Sequence, residues 1–127
     1  MVKTEGLHHL HLTVRDLDRS LRFYRTVFGM EERFRDGPHM VFLSTPGTND
    51  LITLNADPAE RENAGRSGGI AHFGFRLHRS TTIDDAVREV EQAGGTLRSR
   101  GEHAPGVPFA YVTDPDGYVI EIGNPGD

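Results

Sequence analysis

The chain consists of two similar halves, and this internal repeat constrains the fold more than any other feature of the sequence. Residues 7–14 align with residues 70–77, so that His9 falls on His72. In each half an alternating strand is followed by a helical stretch, and a turn with proline leads into a last strand at residues 51–54 and 119–122. A strand, a helix and three further strands, written twice, predict an α+β fold of paired βαβββ modules.

The two helical stretches carry apolar residues three and four positions apart, which traces one buried face. These residues are Leu17, Leu21, Tyr24 and Phe28 in the first half, and Ile83, Val87, Val90 and Ala93 in the second. Asp16 or Asp18 is expected to cap the first helix, and Thr81 or Thr82 the second. Glycines at positions 29, 94 and 95 are suited to end the helices, because glycine adopts the left-handed conformation without steric cost.

The length of 127 residues predicts a single domain over residues 1–127. Within it we expect module one at about residues 5–55, a polar linker at about 56–69 and module two at about 70–123. The linker has no sustained apolar stripe and is expected to hold one short helical turn. A second irregular stretch, residues 101–108, is expected to join two strands of module two as a loop.

Strand alternation decides which side chains share a face, since successive residues of a strand point to opposite sides. In the first strand, His9 and His11 lie on the face away from the apolar side chains, whereas His8 lies on the apolar face. In the fifth strand, His72 points to the face away from Phe73. In the last strand, Glu121 points to the face away from its isoleucine neighbours. The helices cover the apolar face, so the polar face is expected to line the inside of a curved mixed sheet.

Two imidazoles and one carboxylate on that face are the ligand set of a facial metal triad, which leaves about half of an octahedral shell open. We therefore predict His9, His72 and Glu121 as metal ligands, with His11 as a weaker candidate. A single histidine on a strand is ordinarily a hydrogen-bonded surface or core residue. The repeat and the alternation together favour the metal interpretation over that simpler one.

Composition excludes several classes of site and partner. Cysteine is absent, which removes zinc thiolate sites and disulfides and leaves ligands that suit iron, manganese, zinc, nickel or cobalt. The net charge of −5 and the absence of a long basic run argue against a nucleic-acid partner. The sequence contains no apolar stretch near the roughly 20 residues of a membrane span and no signal-peptide core. A cytoplasmic location without membrane partners is therefore the default expectation.

Residues 9–24, 27–30 and 114–121 resemble the signature segments of the vicinal oxygen chelate superfamily. That superfamily includes glyoxalase I, extradiol dioxygenases, fosfomycin resistance enzymes and bleomycin resistance proteins. The resemblance implies paired βαβββ modules around a metal-binding cleft, commonly in a homodimer. It also implies ligands from the first strand of each module and from the last strands, at the positions of His9, His72, Thr53 and Glu121.

Thr53 departs from the pattern of glyoxalase-like enzymes, which usually carry a carboxylate there, and of epimerases, which often carry glutamine. A threonine hydroxyl cannot act as a base near neutral pH. Tyr111 resembles the tyrosine with which extradiol dioxygenases hydrogen-bond their substrate, and His103 lies near the position of a second histidine in those enzymes. An aromatic residue at position 111 is equally compatible with core filling, because Phe42 is its counterpart in the first half.

Two features separate the chain from complete matches within the superfamily. Residues 57–71 contain no counterpart of the acid–base histidine that extradiol dioxygenases carry before the second ligand. The C-terminal extension usual in fosfomycin resistance enzymes has no counterpart after Glu121.

The expected function is that of a divalent-metal enzyme, best described as an extradiol-type dioxygenase acting on a small substrate with adjacent oxygens. Fe(II) or Mn(II) is favoured, and Zn, Ni or Co fits the same ligands. Tyr111 is expected to orient the substrate and His103 to carry a proton. The alternatives are a glyoxalase-like lyase or isomerase, a fosfomycin-type thiol transferase, or a metal-free drug-binding protein similar to bleomycin resistance proteins. The complete triad and the absence of tryptophan count against the drug-binding alternative.

Overall fold

The computed structural model of the chain describes residues 1–124, and residues 125–127 of the expected domain lie outside the described residues. The chain divides into two compact units, Met1–Ala64 and Gly65–Asp127, here named unit 1 and unit 2. Each unit contains a strand, a helix and three further strands, in that order. The expected α+β fold with two βαβββ modules is confirmed.

Unit 1 is a four-stranded mixed sheet with one α-helix. Its elements are β1 (Leu10–Thr13), α1 (Leu17–Phe28), β2 (Glu31–Asp36), β3 (Met40–Ser44) and β4 (Ile52–Asn55). The strand order is β1-β4-β3-β2, with β1 parallel to β4 and the other neighbours antiparallel. A 3-10 helix, Pro58–Asn63, follows β4 and provides the short helical turn that was expected in the polar stretch.

Unit 2 repeats this arrangement. Its elements are β5 (Phe73–Arg76), α2 (Ile83–Gln92), β6 (Thr96–Ala104), β7 (Val107–Thr113) and β8 (Val119–Gly123). The order β5-β8-β7-β6 again combines one parallel pair, β5 with β8, and two antiparallel pairs. The parallel pair is possible because the helix and two strands intervene between its members, which is long enough for a crossover.

Both helices begin at capping residues that the sequence predicts. The Asp16 carboxylate accepts a hydrogen bond from the Arg19 amide at 3.0 Å, and the Thr82 hydroxyl accepts one from the Asp85 amide at 3.1 Å. The buried side of each helix packs on the sheet of its own unit. Among residues 1–124, no helix combines the length and the apolar character needed to span a bilayer.

The first strand of each unit begins three residues later than the sequence suggested, so His9 and His72 precede β1 and β5. The reason is the parallel pairing. Leu10 pairs with Ile52, where β4 itself begins, and Phe73 pairs with Ile120 near the start of β8. Residues before Leu10 and Phe73 therefore extend beyond the ladder.

Residues 101–108 are not an irregular loop, and that expectation was wrong. β6 and β7 form a tight hairpin in which Pro105 and Gly106 are the turn, with Gly106 at φ 78°. Glu102 pairs with Pro108 and Ala104 pairs with Val107, so His103 is one extra residue on β6. Such a β-bulge redirects a side chain away from the regular ladder.

Candidate metal and catalytic site

Glu121 lies at the centre of the candidate site, on the face of β8 that is turned away from the helix. Its neighbours Ile120 and Ile122 are fully buried, whereas Glu121 is partly exposed. Tyr111 stands opposite Glu121 on β7, and Gly74 stands opposite it on β5. The Tyr111 side chain therefore lies on the same face as the carboxylate, and Gly74 leaves space beside it.

Each oxygen of the Glu121 carboxylate faces a different imidazole. Oε1 lies 3.5 Å from Nε2 of His72, and Oε2 lies 3.4 Å from Nε2 of His103. Tyr111, which pairs with Glu121 across β7 and β8, is the third polar neighbour of this carboxylate. Unit 2 therefore brings together four of the five site residues that the sequence predicts.

Tyr111 is held in its protonated form by this contact. The hydrogen bond to Glu121, followed by partial burial and the negative charge of Glu121, raises the pKa of Tyr111 above its ordinary value of 10.0. A phenol near a carboxylate keeps its proton because ionisation would place two negative charges side by side. At neutral pH the Tyr111 hydroxyl is thus a hydrogen-bond donor.

Aromatic rings line the same face in a continuous aromatic row. His72 meets Tyr111 edge-on with ring centroids 4.9 Å apart, and Tyr111 meets Phe109 at 5.3 Å. Phe109 and His103 stack nearly parallel, at 4.2 Å and an interplanar angle of 21°. Phe109 was not singled out as functional in the sequence; the available signal was that it shares a strand face with Tyr111.

The equivalent position in unit 1 is Thr53, and it lacks both exposure and a charged partner. Thr53 pairs with His11 on β1 and with Phe42 on β3, which places it on the expected face. Its side chain is 1% exposed, and Oγ1 has no hydrogen-bond partner among the described residues. Phe42 stacks on Phe34 at 4.3 Å. In unit 1, aromatic rings and a buried hydroxyl thus occupy the face that is equivalent to the Glu121 face of unit 2.

The predicted ligand His9 belongs to unit 1. It is exposed, and its Nδ1 lies 2.8 Å from Nδ1 of His8. His11 is also exposed, on β1.

His72 and Glu121 have the spacing that two ligands of one metal ion require. Two donors about 2.1 Å from one ion, at an angle of about 90–110°, lie about 3.0–3.4 Å apart. The observed separation of Nε2 and Oε1 is 3.5 Å, just beyond that range, so a small side-chain movement would bring this pair onto one divalent cation. Within residues 1–124, no group of three or more histidine, aspartate or glutamate side chains is arranged to hold a metal ion. The triad that adds His9 is therefore a prediction.

Comparison with known proteins identifies the family. Residues 6–122 match the model of the Glyoxalase/Bleomycin resistance protein/Dioxygenase superfamily. A lactoylglutathione lyase of Neisseria meningitidis is 34% identical, over 91% of this chain and 88% of the relative. A catechol-2,3-dioxygenase of Bacillus subtilis is 30% identical over 87% of this chain, which spans 38% of that longer protein.

A similar solved structure is the fosfomycin resistance protein FosX of Listeria monocytogenes, in a complex with Mn(II) and 1S,2S-dihydroxypropylphosphonic acid. The TM-score is 0.77 at 20% identity, and the match covers 98% of this chain and 93% of that structure. This likeness concerns the fold. Together with the match over residues 6–122, it leads to one conclusion: the chain belongs to the Glyoxalase/Bleomycin resistance protein/Dioxygenase superfamily.

Proposed function

We propose that this protein is a divalent-metal-dependent enzyme of the extradiol dioxygenase type, acting on a small substrate with two adjacent oxygens. The observation that supports this best is the surroundings of Glu121. One carboxylate carries contacts to His72, His103 and Tyr111, and the phenol is a donor at neutral pH. In this proposal His72 and Glu121 are metal ligands, and His9 is the third.

The proposed roles divide between the metal and the side chains of the chain. When bound, Fe(II) or Mn(II) supplies Lewis acidity toward two adjacent substrate oxygens and redox chemistry toward O2. The Tyr111 hydroxyl donates a hydrogen bond to a substrate oxygen. His103 carries a proton between the substrate and solvent. The rings of the aromatic row exclude water from one side of the reacting group. A homodimer, as the superfamily resemblance implies, is part of the proposal.

A lyase of the lactoylglutathione type is the second candidate, because that relative matches most of both chains. Thr53 weighs against it. The resemblance implies a carboxylate at this position in glyoxalase-like enzymes, and here stands a buried hydroxyl that has no hydrogen-bond partner within residues 1–124. The fosfomycin-type thiol transferase and the metal-free drug-binding protein are the further alternatives, and the contacts around Glu121 favour metal chemistry over drug binding alone.

The ligand assignment is tested by metal analysis of purified protein. We expect one divalent ion per chain, lost in His9→Ala and in Glu121→Ala while the far-ultraviolet circular dichroism is unchanged. His39→Ala, which removes an exposed histidine of unit 1, is the matched control and should keep the metal. Metal retained in both ligand variants would falsify the assignment.

The reaction type is tested by oxygen uptake of the Fe(II)-loaded protein with a panel of catechols. Tyr111→Phe is expected to lower the turnover rate by about 100-fold or more at unchanged metal content, because it removes the donor to the substrate oxygen. Tyr118→Phe is the control. The buried Tyr118 side chain lies just before β8, and this variant should react like the parent. Isomerisation of a glutathione hemithioacetal without any oxygen uptake would replace the dioxygenase proposal with the lyase.

A further inference from the structure

We propose that Phe109 is a positioning residue of this site. Its ring holds the His103 imidazole so that Nε2 donates to Oε2 of Glu121, which leaves Oε1 to face His72. The proposal rests on the metal-dependent function proposed above. It adds Phe109 and Gly101, which belong to neither the ligand set nor the catalytic pair.

The orientation of His103 is set by a neighbouring ring and not by the strand ladder. His103 is the bulged residue of β6, a strand whose residues are all exposed, so the regular ladder does not fix its side chain. Its ring instead stacks on Phe109, with centroids 4.2 Å apart and planes 21° from parallel. Stacking restrains the tilt of the imidazole, and Nε2 of His103 lies 3.4 Å from Oε2 of Glu121.

Phe109 is itself held against glycine residues of the neighbouring strands. Gly101 stands opposite Phe109 on β6, and a Cβ at position 101 would lie 3.2 Å from ring atoms Cε1 and Cζ. Gly123 stands opposite Phe109 on β8, where a Cβ would lie 3.3 Å from Cα and Cβ of Phe109. Glycine at position 101 thus lets the Phe109 ring approach the β6 backbone closely, an arrangement typical of aromatic residues beside strand glycines.

In the contact between His103 and Glu121, the imidazole is the hydrogen-bond donor. An ionised carboxylate accepts hydrogen bonds and cannot donate them, so neutral His103 must carry its proton on Nε2. With Oε2 engaged by this donor, the carboxylate is held with Oε1 toward Nε2 of His72, 3.5 Å away. Hydrogen bonds to a ligating carboxylate orient it, and their removal costs about 10–100-fold in metal affinity.

The first test measures Mn(II) binding to the metal-free full-length protein by titration calorimetry. Phe109→Leu and Gly101→Val are expected to raise the Kd about 10-fold or more, the first by removing the ring and the second by displacing it. Phe109→Tyr should bind like the parent. Phe34→Leu removes the stack on Phe42 in unit 1 and is the matched control, with no expected change.

A second pair of variants reads the hydrogen bond itself. His103→Gln keeps an N–H donor near the position of Nε2 and should restore most of the affinity that His103→Leu loses. Mn(II) affinities of Phe109→Leu, Gly101→Val and His103→Leu that all stay within twofold of the parent would overturn the proposal.

A readout without metal separates this proposal from the proposed function. In the metal-free parent, nitrogen-15 spectra of the histidine side chains at a fixed, mildly alkaline pH should show His103 protonated on Nε2, with ring protons shifted upfield by Phe109. The upfield shift should be lost in Phe109→Leu and in Gly101→Val. An Nδ1-protonated His103 would overturn the proposal even if Mn(II) binds. A parent that binds no Mn(II) while His103 shows the expected signals would instead overturn the metal function.

Discussion

At the scale of single residues, the pair Thr53 and Glu121 shows how two copies of one module diverge. Both stand on the last strand of their unit, opposite an aromatic residue of the preceding strand. Glu121 is partly exposed and has three polar contacts, whereas Thr53 is 1% exposed and its hydroxyl has none among the described residues. In the proposed function, unit 2 supplies most of the reactive groups, whereas Thr53 of unit 1 is a buried hydroxyl that costs stability.

Replacement of Thr53 by valine is expected to stabilise the protein by about 1 kcal/mol, because an unpartnered buried hydroxyl costs about that much and valine has the same shape. The free energy of unfolding in urea measures the effect. Ser44→Ala is the control: the Ser44 hydroxyl is buried but accepts a hydrogen bond from Arg33 at 3.1 Å, so its loss should destabilise. A Thr53→Val protein less stable than the parent would show that the hydroxyl has a partner in solution.

Tyr111 is expected to ionise at a higher pH than an ordinary tyrosine in the metal-free protein. Its pKa is raised, first by the hydrogen bond to Glu121. The stability that this bond contributes is therefore fully present below the ordinary pKa of 10.0 and is lost as the pH rises through the higher folded pKa. Tyrosinate absorbance, taken as the difference between the parent and Tyr111→Phe, measures the transition.

Glu121→Gln should move this transition down toward the ordinary value, since it removes the charge that opposes ionisation of Tyr111. An unchanged midpoint in Glu121→Gln would mean that burial, and not the carboxylate, sets the pKa of Tyr111.

At the scale of elements, the helices were predictable because their signals are local. Apolar residues three and four apart define the buried face, and capping needs only the residues around the first turn. Of the two capping candidates for each helix, the structure selects Asp16 and Thr82. At the end of α1, Gly29 adopts φ 65° and its amide donates to the Arg25 carbonyl at 3.0 Å.

Asp16→Ala is expected to destabilise the protein by about 1 kcal/mol, because the amide of Arg19 loses its acceptor at the start of α1. Thermal unfolding followed by circular dichroism measures the change. Asp16→Ser is the matched control, since serine is also a good N-cap and should stay close to the parent. Equal losses in both variants would assign the effect to the charge of Asp16 and not to capping.

The sequence predicts the two strands β6 and β7 but not how far they extend. Residues 101–108 combine glycine, proline and polar residues, a composition typical of loops. In the structure these residues continue both strands up to a turn at Pro105 and Gly106. The extension depends on hydrogen bonds between β6 and β7, which are decided by the register of the pair.

At the scale of the whole molecule, the proposed metal ligands are distributed over the two units of the chain. His9 is in unit 1, and His72 and Glu121 are in unit 2. A ligand that binds the folded protein stabilises it in proportion to the logarithm of its concentration over its Kd. The stabilisation by metal, compared between the parent and variants of each unit, therefore shows which unit contributes ligands.

Mn(II) at about 100 times its Kd is expected to raise the free energy of unfolding by about 2.7 kcal/mol. His9→Ala should lose most of this stabilisation at the same Mn(II) concentration, although the substituted residue is in unit 1. His39→Ala, also in unit 1, should keep it. A His9→Ala protein that Mn(II) stabilises as much as the parent would restrict the metal site to unit 2.

The sequence by itself determined the duplicated α+β architecture, two capping candidates for each helix and the face of the last strand that carries Glu121. Periods of 2 and 3.6 residues and the repeat are local properties, and they carry this information without knowledge of distant contacts. Only the tertiary structure decided that His103 lies on a bulge, that Phe109 stacks on it across Gly101, and that Thr53 is buried. These depend on strand register and on side chains from separate strands meeting in space, and neither is encoded in the spacing of residues along one strand.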